Sequence, residues 1–260
     1  MNLKRLGASM AAFALLLPAG CGGGGSATAE SADLTKANFA SEVSTAQIKA
    51  RTAHLEADIS AQGQQVSMAG DVDMTKDDVA FDLALTGGPL GQGTQFILVD
   101  RVIYLKMPTL THNDKFIKID TGSSGNPMAH MFDQMLNQLN PTQAFKAFDA
   151  ITGLQKHGTQ EIDGVETTKY TVTVDTQKAL QAQGMAGRVP AGQLPKTIQY
   201  DVWVDADHLV RRLVMTMPGS SVDMTLSQWG EPVHISAPPA GQTTDMGGLM
   251  QQMMPSRSGG

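Results

Sequence analysis

The sequence predicts an α+β domain dominated by an antiparallel sheet of about eleven strands, with a few helices set between runs of strands. Three observations carry this. From Ala53 to Leu226, apolar residues recur at every second position in successive short runs. Gly, Asp and Asn-type turn residues separate the runs. Helical spacing is confined to a few stretches. Regular strand spacing of this kind fits an antiparallel barrel or sandwich.

Leu34 to Ala50 reads as a helix with Ser31 or Asp33 as N-cap, its stripe being Leu34, Phe39, Val43 and Ile48. The period then becomes two. Ala53, Leu55, Ala57 and Ile59 alternate with polar residues, as do Val66, Met68, Gly70, Val72 and Met74, and then Val79, Phe81, Leu83 and Leu85. Gln62-Gly63-Gln64 and Thr75-Lys76-Asp77 are the turns between them. Gln95–Val99 and Val102–Met107 form a hairpin around Asp100-Arg101. Both are apolar at nearly every residue, which predicts central strands covered on both faces. Phe116–Ile119 adds a short strand. Met128, Met131, Phe132, Met135, Leu136 and Leu139 make a helical stripe ended by Pro141, and Phe145, Phe148 and Ile151 suggest a second short helix. Strands resume with Leu154–Ile162, then Asp163-Gly164 as a hairpin turn into Thr168–Val174. A helical turn at Gln177–Gly184 and a Gly/Pro-rich loop lead to Ile198–Val204. Asp205-Ala206-Asp207 then turns into Leu209–Met217, with Arg211 on the apolar side, and Val222–Leu226 closes the set.

The N-terminus is a different kind of sequence. Lys4 and Arg5 precede an apolar run to Leu17, and Pro18-Ala19-Gly20 leads into Cys21, the only cysteine of 260 residues. A basic start, a short apolar core and small residues are the parts of an export signal. The run is shorter than the ~20 apolar residues a spanning helix needs. Leu17–Cys21 resembles the lipobox of bacterial lipoproteins, with Pro18 departing from the usual leucine. The resemblance implies cleavage before Cys21 and acylation of its sulfur. Loss of residues 1–20 removes Lys4 and Arg5 and moves the formal charge from −6 to −8. That charge argues against nucleic acid and against electrostatic adhesion to anionic lipid, so attachment rests on the acyl chains. The expected organisation is a signal at 1–20, an anchor and Gly/Ser tether at 21–32, one domain at 33–236, and a flexible Met/Gly-rich tail at 237–260.

Together the lipobox cysteine, the Gly/Ser tether, the first helix running into His54-Leu55-Glu56-Ala57, and the late pair Tyr200–Asp205 and Leu209–Leu213 resemble the actinobacterial LppX/LprA/LprF/LprG lipoproteins. The similarity covers most of Leu34 to Ile235. It implies a LolA-like half-barrel whose apolar cavity binds acyl chains of a lipid or glycolipid and carries them across the envelope. An envelope transporter is a further partner, and the place of work is the outer face of the cell membrane. On this basis Leu55, Val72, Phe81, Leu83, Phe96, Leu98, Met131, Met135, Tyr170 and Val172 are the expected lining. Sixteen methionines against two tryptophans and three tyrosines suit a soft lining, because the unbranched thioether adapts to irregular apolar partners. Ala53, Ala57 and Gly70 would leave room beside them. Ordinary core filling is the competing explanation of the same residues.

Catalytic and metal chemistry finds little footing. The six histidines are scattered, Asp71, Asp73, Asp77 and Asp78 lack the glycine and glutamate of a calcium loop, and Asp205 and Asp207 fit a turn. No catalytic residue, cofactor or metal ligand is assigned. Two rival functions remain: Cu(I) binding by Met128/Met131, Met215/Met217 and Met250/Met253/Met254, and an envelope sensor or adaptor for a partner protein. The lipobox reading predicts that Cys21→Ala releases the protein into the medium. Fractionation of cells checks it, and retention in the membrane fraction would contradict the reading.

Overall fold

The computed structural model describes residues 33–74, 79–88, 91–108, 115–120, 150–182 and 195–245. Two antiparallel meanders build one sheet. The first contains β1 (Thr52–Ala61), β2 (Gln64–Asp73), β3 (Ala80–Gly87), β4 (Thr94–Val99), β5 (Val102–Lys106) and β6 (Phe116–Asp120). The second contains β7 (Ile151–Ile162), β8 (Val165–Asp175), β9 (Thr197–Asp205), β10 (Val210–Met217) and β11 (Ser220–Ser227). Antiparallel pairing of β1 with β11 joins them. A last strand, β12 (Thr243–Asp245), adds parallel to β6. The order is β12-β6-β5-β4-β3-β2-β1-β11-β10-β9-β8-β7. The ends do not pair with each other, so the sheet is an open, curled half-barrel rather than a closed barrel or a sandwich.

The turns explain the meander. Gln62 and Gly63, Asp100 and Arg101, and Asp163 and Gly164 all have positive φ in consecutive pairs. That backbone twist matches the right-handed twist of the strands it joins. The β9–β10 turn is organised by Asp205, which is only 7% exposed. Its Oδ1 accepts from the backbone N–H groups of Asp207 and Leu209, each at 2.9 Å, and its Oδ2 from Arg211 Nε at 2.6 Å. A bulge between Val210 and Arg212 frees Arg211 for this contact.

Helix α1 (Phe39–Ala50) lies against one end of the apolar face, with Phe39 and Val43 buried alongside Leu34. It starts later than its apolar stripe suggests. Residues 35–38 form a turn in which Asn38 Oδ1 accepts from the Thr35 N–H and hydroxyl. Neither Ser31 nor Asp33 is the cap: the N-cap is Asn38, which makes no side-chain cap, while Asp33 pairs with Lys156 at 2.8 Å. Ile48, expected in the stripe, is 40% exposed. A second helix, α2 (Thr176–Ala182), follows β8. Ile151, expected in a helix, instead opens β7, because it pairs with Val174. The expected helix at 128–139 lies outside the described residues.

β4 and β5 are apolar on both sides, but they are not central. They sit next to the β12 end, and their outer side is covered by the chain that follows β11. Ile97, Val99, Tyr104 and Phe116 form a buried cluster there, with Ile235 packed against it. That chain is pinned on its way: the Trp229 indole N–H donates to the Val210 carbonyl, Gly230 N–H to the Thr52 carbonyl, and the Thr52 hydroxyl to the Glu231 carbonyl. β12 therefore falls within the segment expected to be a flexible tail.

Gly70 is required by strand contact, not by open space. Its φ is +155°, and a Cβ there would lie 1.9 Å from the Asp82 backbone oxygen on β3. Ala53 likewise makes way for packed neighbours, since it is fully buried in the cluster with Leu34, Phe39 and Val43. Gly70→Ala is expected to cost more than about 3 kcal/mol, because backbone must move. Gly63→Ala, at φ +78° in open space, is expected to cost about 1 kcal/mol. Chemical denaturation measures both, and equal losses would contradict the close-approach explanation.

Candidate functional site

Register places the apolar residues of the strands on one continuous face. One row runs Ile119, Ile103, Leu98, Phe81, Val72 and Ala53 across β6 to β1. A second crosses the join between the meanders: Leu85, Met68, Ala57, Met224, Leu213, Val202 and Tyr170. A third, beside it, runs Val66, Ile59, Val222, Met215, Tyr200, Val172 and Leu154. Side chains alternate between faces along a strand, so these rows share a side.

Two buried clusters occupy this face. One lies under α1 and includes Tyr170, Val172, Val202, Val204 and Leu226; the Phe39 and Tyr170 rings meet at 5.7 Å. The other spans Phe81, Leu83, Leu98, Ile103, Ile117 and Ile119, with the Phe81 and Phe96 rings 5.2 Å apart. Leu55 and Val72 touch both clusters. Between them the middle of the face is less covered. Ile59, Val66, Met68, Leu213, Met215, Val222 and Met224 are half-buried.

Eight of the ten expected lining residues therefore share this face: Leu55, Val72, Phe81, Leu83, Phe96, Leu98, Tyr170 and Val172. Five of them (Phe81, Leu83, Leu98, Tyr170 and Val172) are buried in the clusters, while Leu55, Val72 and Phe96 are half-buried. Met131, Met135 and Cys21 lie outside the described residues. The half-buried residues of the two middle rows were not in the expected list. Their signal was present, because Ile59 continues the alternation of Leu55 and Ala57, and Leu213 and Met215 that of β10.

The opposite face is polar and tied by charge. Arg212 reaches Asp223 with two hydrogen bonds, Nε to Oδ1 at 2.9 Å and an Nη to Oδ2 at 2.6 Å. Lys169 pairs with Asp201 at 2.7 Å. Both cations lie over the Trp203 ring, at 5.0 and 5.2 Å, while its indole N–H donates to Gln160 Oε1. The Arg212 hydrogen bonds hold the Asp223 carboxyl below its usual range. At Asp201 burial pushes the other way, but hydrogen bonds from Lys169 and Thr171 outweigh it and the result is also lowered. A recess of about 580 Å³ opens among Glu56, Asp58, Glu161, Asp163, Arg212 and Asp223, with Ala57, Met68, Ala69, Ala84 and Ile162 also in its lining. Among the described residues no group of three or more His, Cys, Asp or Glu is placed to hold a metal ion. Met215 and Met217 share one side of β10, and the other methionine groups lie outside the described residues.

The described residues thus form an open antiparallel half-barrel with one apolar face and one charged face. Comparison with known proteins is specific. A sequence profile of the LppX_LprAFG lipoprotein family matches residues 36–235, and the chain belongs to that family. It is 26% identical to the lipoarabinomannan carrier protein LprG of Mycobacterium tuberculosis over 206 residues, 76% of this chain and 80% of LprG. Similarity to LppX of Mycobacterium tuberculosis reaches 34% over 89 residues, 33% of this chain and only about a third (34%) of LppX. The crystal structure of LppX superposes with a TM-score of 0.53 at 20% identity, covering 78% of this chain and all (100%) of that one. LprF from Mycobacterium bovis gives 0.53 at 16% identity, covering 78% and 96%. No helix among the described residues is long and apolar enough to cross a membrane.

Asp223 stabilises the fold while it is ionised. Because its folded pKa is lowered, that contribution is present above the unfolded value near 4 and is lost as pH falls through the folded value. The pair is partly exposed, so removing it costs no more than about 1 kcal/mol. Asp223→Asn is expected to lower the thermal midpoint slightly at pH 7 and to flatten its decline in acid. Thermal unfolding from pH 7 to 2 at low salt tests this, and an unchanged acid slope would contradict it.

Proposed function

We propose that this protein is a lipid-anchored carrier that holds acyl chains of a lipid or glycolipid against its apolar face and moves them across the cell envelope. The observation that carries the reading is the half-buried middle of that face. Two packed clusters flank it, yet Met68, Leu213, Met215 and Met224 are not covered as core residues are. Each methylene taken from water onto this surface contributes about 0.8 kcal/mol, and the effect is non-directional. Selectivity among saturated chains is therefore loose. The acyl group on Cys21 and the glycine-rich tether behind it would hold the domain at the outer side of the plasma membrane, within reach of lipid supply. A transporter in the envelope would load or unload it.

Family membership supports the same reading. The relative LprG is a lipoarabinomannan carrier by name, and LppX is the proposed phthiocerol dimycocerosate transporter. Binding without catalysis fits a face built from hydrocarbon and thioether. Native mass spectrometry of the unacylated domain from its own host is expected to show co-purifying lipid of defined mass. A clean unliganded mass would sink the proposal.

A further inference from the structure

Tyr200 is one of two tyrosines in the apolar rows; the other, Tyr170, is buried in the cluster under α1. Tyr200 pairs with Val172 on β8 and Met215 on β10, and beyond these lie Leu154 and Val222. All four neighbours in the row lack a strong hydrogen-bonding group. The phenol packs against the cluster under α1 but is itself only half-buried. Its hydroxyl makes no hydrogen bond among the described residues. The two tryptophans differ: Trp203 donates to Gln160 and Trp229 to the Val210 carbonyl. Burial also pushes the Tyr200 pKa up to about 12, so the group remains an O–H donor throughout the physiological range.

A hydrocarbon chain laid over this position would strip water from the hydroxyl and offer nothing in return, which is costly for any polar group. A chain that carries a carbonyl at that point restores the lost bond. A carboxylate would restore it too, but the cation at the end of the adjoining row, Lys156 opposite Tyr170, is already paired with Asp33 at 2.8 Å, and the charge would go onto the apolar surface unpaired. We infer that Tyr200 donates a hydrogen bond to the ester carbonyl at the head of a bound acyl chain, so that the face selects ester-linked over ether-linked lipid. The inference rests on the acyl-binding reading and adds a polar point of register to a surface that otherwise holds chains without direction.

The test offers mature protein a mixture of diacylglycerol and dialkylglycerol of equal chain length in vesicles, then quantifies protein-bound lipid by mass spectrometry. Wild type is expected to retain the diester over the diether by about tenfold, the worth of one neutral hydrogen bond. Tyr200→Phe is expected to bring the ratio to about one, with an unchanged circular dichroism spectrum. With a ¹³C-labelled ester, the carbonyl stretch of bound lipid should lie lower in wild type than in Tyr200→Phe. A ratio near one in wild type, or one that survives Tyr200→Phe, overturns the inference while leaving acyl binding intact. Preferential displacement of the diester by palmitate also overturns it, since the acceptor would then be a carboxylate. Failure of both lipids to bind either protein overturns the acyl-binding reading itself.

Discussion

Register is the constraint on which this molecule depends. Side chains change face at every residue, so a slip of one position in any ladder would turn Glu56 and Asp58 onto the apolar side and Leu55 and Ala57 onto the charged one. The fold fixes register at both ends of the hairpins and across the strands. Tight turns with consecutive positive-φ residues leave no slack between β1 and β2, β4 and β5, or β7 and β8. On the outer face, His54 with Asp71, Lys169 with Asp201, and Arg212 with Asp223 join neighbouring strands at 2.6 to 2.7 Å. Each pair is worth little alone in partly exposed surroundings. Their value is that they form only in the native alignment.

The two faces are then free to do different things. Where the sheet needs stability, apolar residues are covered: α1 lies on the β7–β11 side, and the chain after β11 covers the outer side of β4–β6. Where α1 and the two clusters end, the inner face keeps its methionines and small aliphatic side chains half-buried. A sheet edge left open at β7 and β12 avoids closing the inner side into a packed barrel, in which side chains alone would fill the interior. The same register that makes the face continuous also delivers Tyr200, a single polar group, into an apolar row.

Much of this was legible in the sequence because alternation over eight or ten residues is a strong signal. β1, β2, β3, β8 and β9 follow from it, and Asp163-Gly164 and Asp100-Arg101 fall where the turns are. The lining expected from Leu55 to Val172 shares one face for the same reason. What was not legible depends on long-range contact. β4 and β5 read correctly as covered twice, but that pattern cannot say the second cover is Ile235, far along the chain. Three residues of β12 carry no period at all. Bulges between Lys156 and Thr159 and between Val210 and Arg212 shift the parity of β7 and β10, and no local pattern announces them. Gly70 and Ala53 read as open space, whereas a strand contact and a packed cluster account for them.

The central claim, that acyl chains lie on one face of this sheet and not the other, is tested most directly by photo-crosslinking. A lipid with a diazirine in its acyl chain, loaded and irradiated, leaves adducts that peptide mass spectrometry can place by residue. The account predicts labels at Met68, Leu213, Met215 and Met224, with their strand neighbours Ser67, Arg212 and Thr225 unlabelled. Adducts on the polar face, or spread evenly along both faces of β2, β10 and β11, would contradict it.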